Sequence, residues 1–147
     1  MIKVQTKDFD VAEQYQLLKQ RSSAGAIVFF VGLVRDMNLG SEVSGLHLEH
    51  YPGMTESQLL KIVEQAKQRW PIQDVSLIHR VGDLEVNQQI VFVGVNSPHR
   101  EASFAACQFI MDYLKTEATF WKKERSAQGD SWLDARQSDV KAKQKWS

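Results

Sequence analysis

The stretch from Ser97 to Glu124, SPHREASFAACQFIMDYLKTEATFWKKE, constrains the fold more than any other part of the chain. Ser97-Pro98 reads as a helix start, a serine able to cap free amides followed by a proline that suits the first turn. The helix carries Phe104, Ala105, Ala106, Phe109, Ile110, Met111, Tyr113 and Leu114 and leaves almost no polar side. Such a helix is buried within a fold, not laid on its surface. Charge stands at both ends, with His99 and Arg100 at the start and Lys115 at the close. At about 3.6 residues per turn, Arg100, Phe104, Cys107, Met111 and Lys115 fall along one face. Lys122 follows in the aromatic segment Phe120-Trp121-Lys122-Lys123. Cations gathered around a buried helix suggest an anionic ligand.

The remaining elements follow from periodicity. Ile2 to Thr6 alternates as a short edge strand, and Val11 to Gln20 spaces Val11, Tyr15 and Leu18 as a helix. Ala26 to Val31 is continuous, apolar and rich in β-branched and aromatic residues, which predicts a central strand. Gly32-Leu33-Val34-Arg35 leads into a polar loop from Asp36 to Ser41, and Val43 to Tyr51 alternates again. Thr55 with Gln58 matches a capping box, opening a helix striped by Leu59, Ile62, Val63, Ala66 and Trp70 and ended by Pro71. Val75 to Val81 and Ile90 to Val95 read as strands, with turns at Gly82-Asp83 and Asn87-Gln88. Beyond the apolar helix, Phe120 to Arg125 and Ser131 to Leu133 form a hairpin around Ala127-Gln128-Gly129-Asp130, and Asp134 to Lys145 is helical. Strands and helices do not alternate strictly, so the expected class is α+β with a mostly antiparallel or mixed sheet. One domain over residues 1–147 is expected.

Composition removes several function classes. Hydrophobic residues make up 43% and charged residues 24%, an ordinary globular balance, and the formal net charge is zero. No global field draws in nucleic acid or anionic lipid, so any anion site is local. The single cysteine, Cys107, excludes an internal disulfide framework and a cysteine metal cluster. The N-terminal residues lack an apolar signal core and no run is long enough to span a membrane, so the expected location is cytoplasmic. Gly-x-Gly-x-x-Gly and Walker loops are absent, and no nucleophile-elbow glycines surround Ser97. His47 and His50 lie three apart on a strand and point to opposite faces, so no metal site is expected.

Arg35, His99, Arg100, Lys115 and Lys122 remain as candidates for an anion site. Each also has an ordinary explanation. Arg35 suits a solvated loop, Lys115 balances a helix dipole, and Lys122 suits an exposed strand. His99 and Arg100 fall in a first helical turn, where free amides favour anions.

Several segments together go further: GLVRDMNLG (32–40), LEHYPGM (48–54), HRVG (79–82), SPHR (97–100), FIMDYLK (109–115) and FWKKE (120–124). Their combination closely resembles the large, catalytic subunits of molybdopterin synthase from about Ile2 to the C-terminal helix. The chain departs at Thr119, where the family often has proline, and at Pro98, where a small residue is common. The resemblance implies an α/β-hammerhead fold with a small antiparallel β subdomain. It implies a sulfurtransferase that converts cyclic pyranopterin monophosphate to molybdopterin. The sulfur comes from the thiocarboxylate of a small ubiquitin-like carrier subunit, and no metal or cofactor is implied. The implied assembly is a homodimer of large subunits within a 2+2 heterotetramer, without nucleic acid or membrane. Lys115 and Lys122 would be catalytic, with Arg35, His99 and Arg100 holding phosphate and pterin. Backbone groups of Leu33, Val34, Lys123 and Glu124 would line the pocket, and Arg136 is a candidate to reach a neighbouring subunit's pocket. Cys107, set among apolar neighbours, reads as core packing and not as a persulfide relay. The rival reading is a non-catalytic α+β module that binds RNA or a phosphorylated metabolite. Its support is the basic C-terminal tail and Phe120 to Lys123, and zero net charge opposes it. A scaffold that keeps the dimer without activity is opposed by the presence of both Lys115 and Lys122.

Overall fold

The computed structural model describes residues 1–38, 41–126, 129–133 and 137–146. In chain order the elements are β1 (Ile2–Gln5), α1 (Val11–Lys19), β2 (Ala26–Leu33), β3 (Met37–Asn38), β4 (Ser41–Glu42) and β5 (Gly45–His50). There follow α2 (Met54–Arg69), β6 (Val75–Arg80), β7 (Gly82–Glu85), β8 (Gln89–Ser97) and α3 (Arg100–Glu117). The chain closes with β9 (Phe120–Ser126), β10 (Gly129–Leu133) and α4 (Gln137–Gln144). The class is α+β, as expected.

One four-stranded sheet has the order β1-β6-β8-β2, with β1 parallel to β6 and the other pairs antiparallel. A second, wholly antiparallel sheet has the order β10-β9-β5-β7. The first sheet is covered on both faces, which accounts for the continuous apolar runs of its inner strands. Leu59, Ile62 and Ala66 of α2 and Phe109, Ile110 and Leu114 of α3 pack with Leu77, Val91, Val93 and Val95. On the other face Leu18 of α1 and Phe9 meet Ile78 and Phe92. Val34, Leu48, Val81 and Leu84 form a third cluster, with Phe120 packed against it, and bind the second sheet to the first.

Several local expectations change. Ala26 to Val31 lies not in the centre but at the sheet edge, and Phe29 and Phe30 are each 42% exposed. Gly82-Asp83, expected as a turn, begins β7, because Gly82 and Asp83 pair with Leu48 and His47 of β5. The polar loop from Asp36 contains the short pair β3 and β4; Leu39 and Gly40 lie outside the described residues. Thr55 is not an N-cap. Gly53 takes that place, with φ +86° and its N–H donating to Glu56 Oε1 at 3.1 Å. Thr55 is fully buried, accepts from Tyr51 N–H at 3.0 Å and donates to the Thr119 carbonyl at 2.8 Å. Gln58 Oε1 accepts from Thr119 N–H at 2.7 Å. Thr119 thus donates from the very N–H that a proline at this position would lack.

Ser97 likewise has a different task. It is the last residue of β8, fully buried, and the helix N-cap is His99 without a side-chain cap bond. Ser97 Oγ accepts from His99 N–H at 3.2 Å, bonds the His99 carbonyl, and meets Ser103 Oγ at 2.7 Å. The serine ties strand to helix through a strand-end side chain rather than by capping. Phe104 is 60% exposed, so α3 is not apolar all round in use; its opposite side is the buried one. The hairpin of β9 and β10 stands as expected, with residues 127–128 outside the described set. The terminal helix is described from Gln137, so Asp134 and Arg136 fall outside the description.

Candidate active site

The course of β2, β8 and α3 decides which candidate residues meet. β2 and β8 are antiparallel, so Ala26 stands beside Ser97 at one end and Leu33 beside Gln89 at the other. α3 starts three residues after Ser97 and runs back along the sheet. Ser103 Oγ donates to the Ala26 carbonyl at 3.3 Å, Cys107 Sγ lies 3.6 Å from the Val93 carbonyl, and Leu114 shares a cluster with Val91. Lys115 therefore reaches the Leu33 end, while His99 and Arg100 stay at the Ala26 end. Lys115 is fifteen helical steps from Arg100, roughly 22 Å along the axis. The shared helix face inferred from spacing is real, but its two cations cannot touch one phosphate.

At the Leu33 end several candidates converge. The register of β2 shifts between Gly32 and Leu33, and Leu33 is half exposed. Val34 is buried; its N–H donates to the Gln88 carbonyl at 3.0 Å and its carbonyl accepts from Asn87 N–H at 2.9 Å. Both backbone groups being engaged, Val34 anchors the segment that presents exposed Arg35 to solvent. Val34 also packs with Leu48, which pairs across strands with Lys122. Lys122 is half-buried on the same sheet face as Phe120 and Glu124, since alternate residues share a face. Lys123 projects from the opposite face, where Nζ lies 3.9 Å from Asp130 Oδ2 and 5.6 Å from the centre of the Trp132 ring. The two adjacent lysines thus serve different surfaces.

Lys115 occupies the last turn of α3, where the helix dipole favours a cation. Its ammonium lies 3.9 Å from Asp139 Oδ1 of α4. No motif singles out Asp139; its one sequence signal is an acidic residue in the first turn of a basic helix. His79 is a second group not singled out for chemistry. It is buried, its ring stacks on Phe120 at 3.9 Å, and Nδ1–H donates to the Arg80 carbonyl at 2.8 Å. Burial first, then the charges of Lys122 and His50, push its imidazole down to about 3, against the pull of the Arg80 carbonyl. His79 is therefore a neutral wall beside Lys122. Cys107 is buried, and burial pushes its thiol up to about 12.

His47 and His50 occupy opposite sheet faces. His47 is held between Asp83 at 2.9 Å and Glu49 at 3.0 Å, whereas His50 pairs with Phe120. A groove of about 290 Å³ between α2 and α3 is lined by Gln58, Lys61, Ile62, Gln65, Tyr113 and Glu117. It includes none of the candidate residues and so is not where they gather. Among the described residues no helix is long and apolar enough to cross a membrane.

Residues 4–117 match the family described as MoaE protein. Over 145 residues the chain is 60% identical to the molybdopterin synthase catalytic subunit of Vibrio cholerae, covering 99% of this chain and 97% of that one. The solved structure of the molybdopterin biosynthesis MoaE protein from Burkholderia ambifaria superposes with a TM-score of 0.85 at 48% identity, over 99% of this chain and 97% of the other. A protein–protein complex of subunits 1 and 2 of molybdopterin-converting factor from Helicobacter pylori shares the fold, with a TM-score of 0.75 at 19% identity, over 92% and 91% of the two chains. The chain belongs to the MoaE protein family, that of the enzyme subunits named molybdopterin synthase catalytic subunit.

Proposed function

We propose that the protein transfers sulfur from the C-terminal thiocarboxylate of a small ubiquitin-like carrier to cyclic pyranopterin monophosphate, forming the dithiolene of molybdopterin. What supports this reading is membership of this family together with the chain's course: Lys122 stands opposite Leu48, which packs with Val34 next to Arg35, and α3 carries Lys115 toward the same end of β2. A cyclic phosphate and a thiocarboxylate are both anions. At 4 Å and an effective dielectric of 20 their repulsion is about 4 kcal/mol, so fixed cations are needed to bring them together. Lys115 meets the carrier's terminus beside the reacting carbon, and Lys122 stabilises developing negative charge or moves protons. Arg35 binds phosphate through its planar fork. Leu33, Val34, Lys123 and Glu124 shape the pocket through the backbone.

His99 and Arg100 enter the same pocket from a second copy. β2 is an edge strand whose Phe30 and Leu33, with Phe104 of α3, expose 42, 50 and 60% of their surface. An exposed apolar edge is a surface that proteins normally cover. A two-fold axis perpendicular to the sheet beside β2 makes the facing edges antiparallel. That operation sets the Ala26 end of one chain, with His99 and Arg100, beside the Leu33 end of its partner. The homodimer then binds one carrier per large subunit, in the cytoplasm, with residues 1–147 acting as one domain. Mixing the protein with thiocarboxylated carrier and the cyclic pterin, and assaying dithiolene product, tests the reading.

A further inference from the structure

α4 lies along the C-terminal half of α3, and opposite charges face each other across the contact. Lys143 of α4 ion-pairs with Glu117, and Lys145 Nζ lies 3.6 Å from Asp112 Oδ2. The polarity reverses at one position only among the described pairs, where Asp139 of α4 meets Lys115 of α3 at 3.9 Å. α4 is itself held firmly. Trp146, just past its end, donates from Nε1–H to the buried Asp112 carboxylate at 2.6 Å. Its ring stands edge-on to Trp70 and Phe109, with centroids 5.5 and 5.7 Å away. Arg69 of α2 donates to the Trp146 carbonyl at 2.8 Å.

The two members of the Lys115–Asp139 pair differ in freedom. Asp139 sits in the first turn of an anchored helix, where the dipole favours a carboxylate, and its side chain is 22% exposed. Lys115 is 42% exposed on a flexible four-carbon stem. An exposed pair of this kind adds little to fold stability. What it does is restrict where the ammonium resides, which matters for a group that has to meet a reacting carbon in a defined place.

We infer that Asp139 is a positioning residue for Lys115: a fixed carboxylate on α4 that holds the lysine's ammonium at the Leu33 end of the sheet. The inference rests on the reading of Lys115 as catalytic. It also gives α4 a task in the reaction besides packing.

The test compares four proteins with thiocarboxylated carrier and cyclic pterin: wild type, Lys115→Ala, Asp139→Asn and Asp139→Glu. Lys115→Ala is expected to lose roughly 10²-fold or more in kcat, the scale for a lost proton-transfer or charge-stabilising group. Asp139→Asn should lose about tenfold in kcat with KM for the carrier little changed, the pattern of an interaction felt in the transition state. Asp139→Glu should recover most of that loss, and all four should melt within a few degrees of one another. A merely structural Asp139 would lower the melting temperature without a kcat-specific loss, and that result overturns the inference. So does an Asp139→Asn protein with wild-type kcat, or one with a lowered carrier KM, which would mark Asp139 as an obstruction. If Lys115→Ala itself keeps wild-type activity, the catalytic reading of Lys115 fails and the inference falls with it; a damaged Lys115→Ala beside an intact Asp139→Asn sinks the inference alone.

Discussion

Mixed dimers offer a sharp test of a pocket built from two chains. Arg100 and Lys115 stand at opposite ends of α3, roughly 22 Å apart along its axis. Suppose Arg100→Ala and Lys115→Ala are prepared separately. The first removes charge-assisted hydrogen bonds to phosphate, about 1.5–3 kcal/mol each, or roughly 10- to 100-fold in kcat/KM. The second loses roughly 10²-fold or more. When equal amounts are allowed to exchange subunits, about half of the dimers are mixed. In each mixed dimer a pocket shared across the two-fold has either both residues intact or both replaced. About a quarter of all pockets are then wild type, and activity should rise to about a quarter of the wild-type value. Product formation is measured with carrier in excess and cyclic pterin well below its KM, before and after exchange, with exchange followed by two affinity tags. If both residues served the pocket of their own chain, every mixed dimer would hold only singly damaged pockets. Activity that stays at the mean of the two variants, with mixed dimers demonstrably present, refutes the shared pocket.

Other outcomes follow from the same structure. Phe30→Lys, a charge on an exposed edge strand, should turn a dimer into a monomer in light scattering without carrier; an unchanged dimer would place self-association elsewhere. Cys107→Ala should keep turnover within a few-fold and cost about 1 kcal/mol of stability in urea unfolding, since the thiol is buried and pushed up to about 12. A folded but inactive Cys107→Ala protein would restore the persulfide relay. Native His79 stays neutral down to about pH 3, whereas its unfolded counterpart takes up a proton near 6.5. The unfolded chain binds more protons in that window, so stability is full above about pH 6.5 and falls by about 1.4 kcal/mol per unit below it. Urea titrations of wild type and His79→Asn across that range should show a shallower dependence in the variant; equal slopes would contradict the burial argument.

Much of the fold was legible from periodicity, because most strands and helices carry their burial pattern in their own residues. β6, α2 and β8 are examples, with every position of β6 buried. What periodicity missed depends on partners distant in the chain. β7 is a strand because β5 offers a pairing edge, not because Gly82 to Glu85 reads as one. Thr55 and Gln58 have cap chemistry, yet Thr119, more than sixty residues on, receives it. β2 has the composition of a central strand because an edge with exposed Phe30 and Leu33 is also apolar. The candidate residues were recognisable through the resemblance, but their separation was not. A helical wheel projects along the axis, so it placed Arg100 and Lys115 on one face and hid the length between them. Asp139 carried no motif, and only the docking of α4 through Trp146 brings it to Lys115.

The central claim is that this chain forms a dithiolene by using carrier sulfur. Its most direct test is a single-turnover reaction of the purified protein with thiocarboxylated carrier and cyclic pyranopterin monophosphate, read as molybdopterin formed. The account predicts product without added metal or nucleotide, at up to half the carrier consumed, since each dithiolene takes two sulfurs. No product, from a carrier shown to be thiocarboxylated and competent with a related synthase subunit, would contradict it.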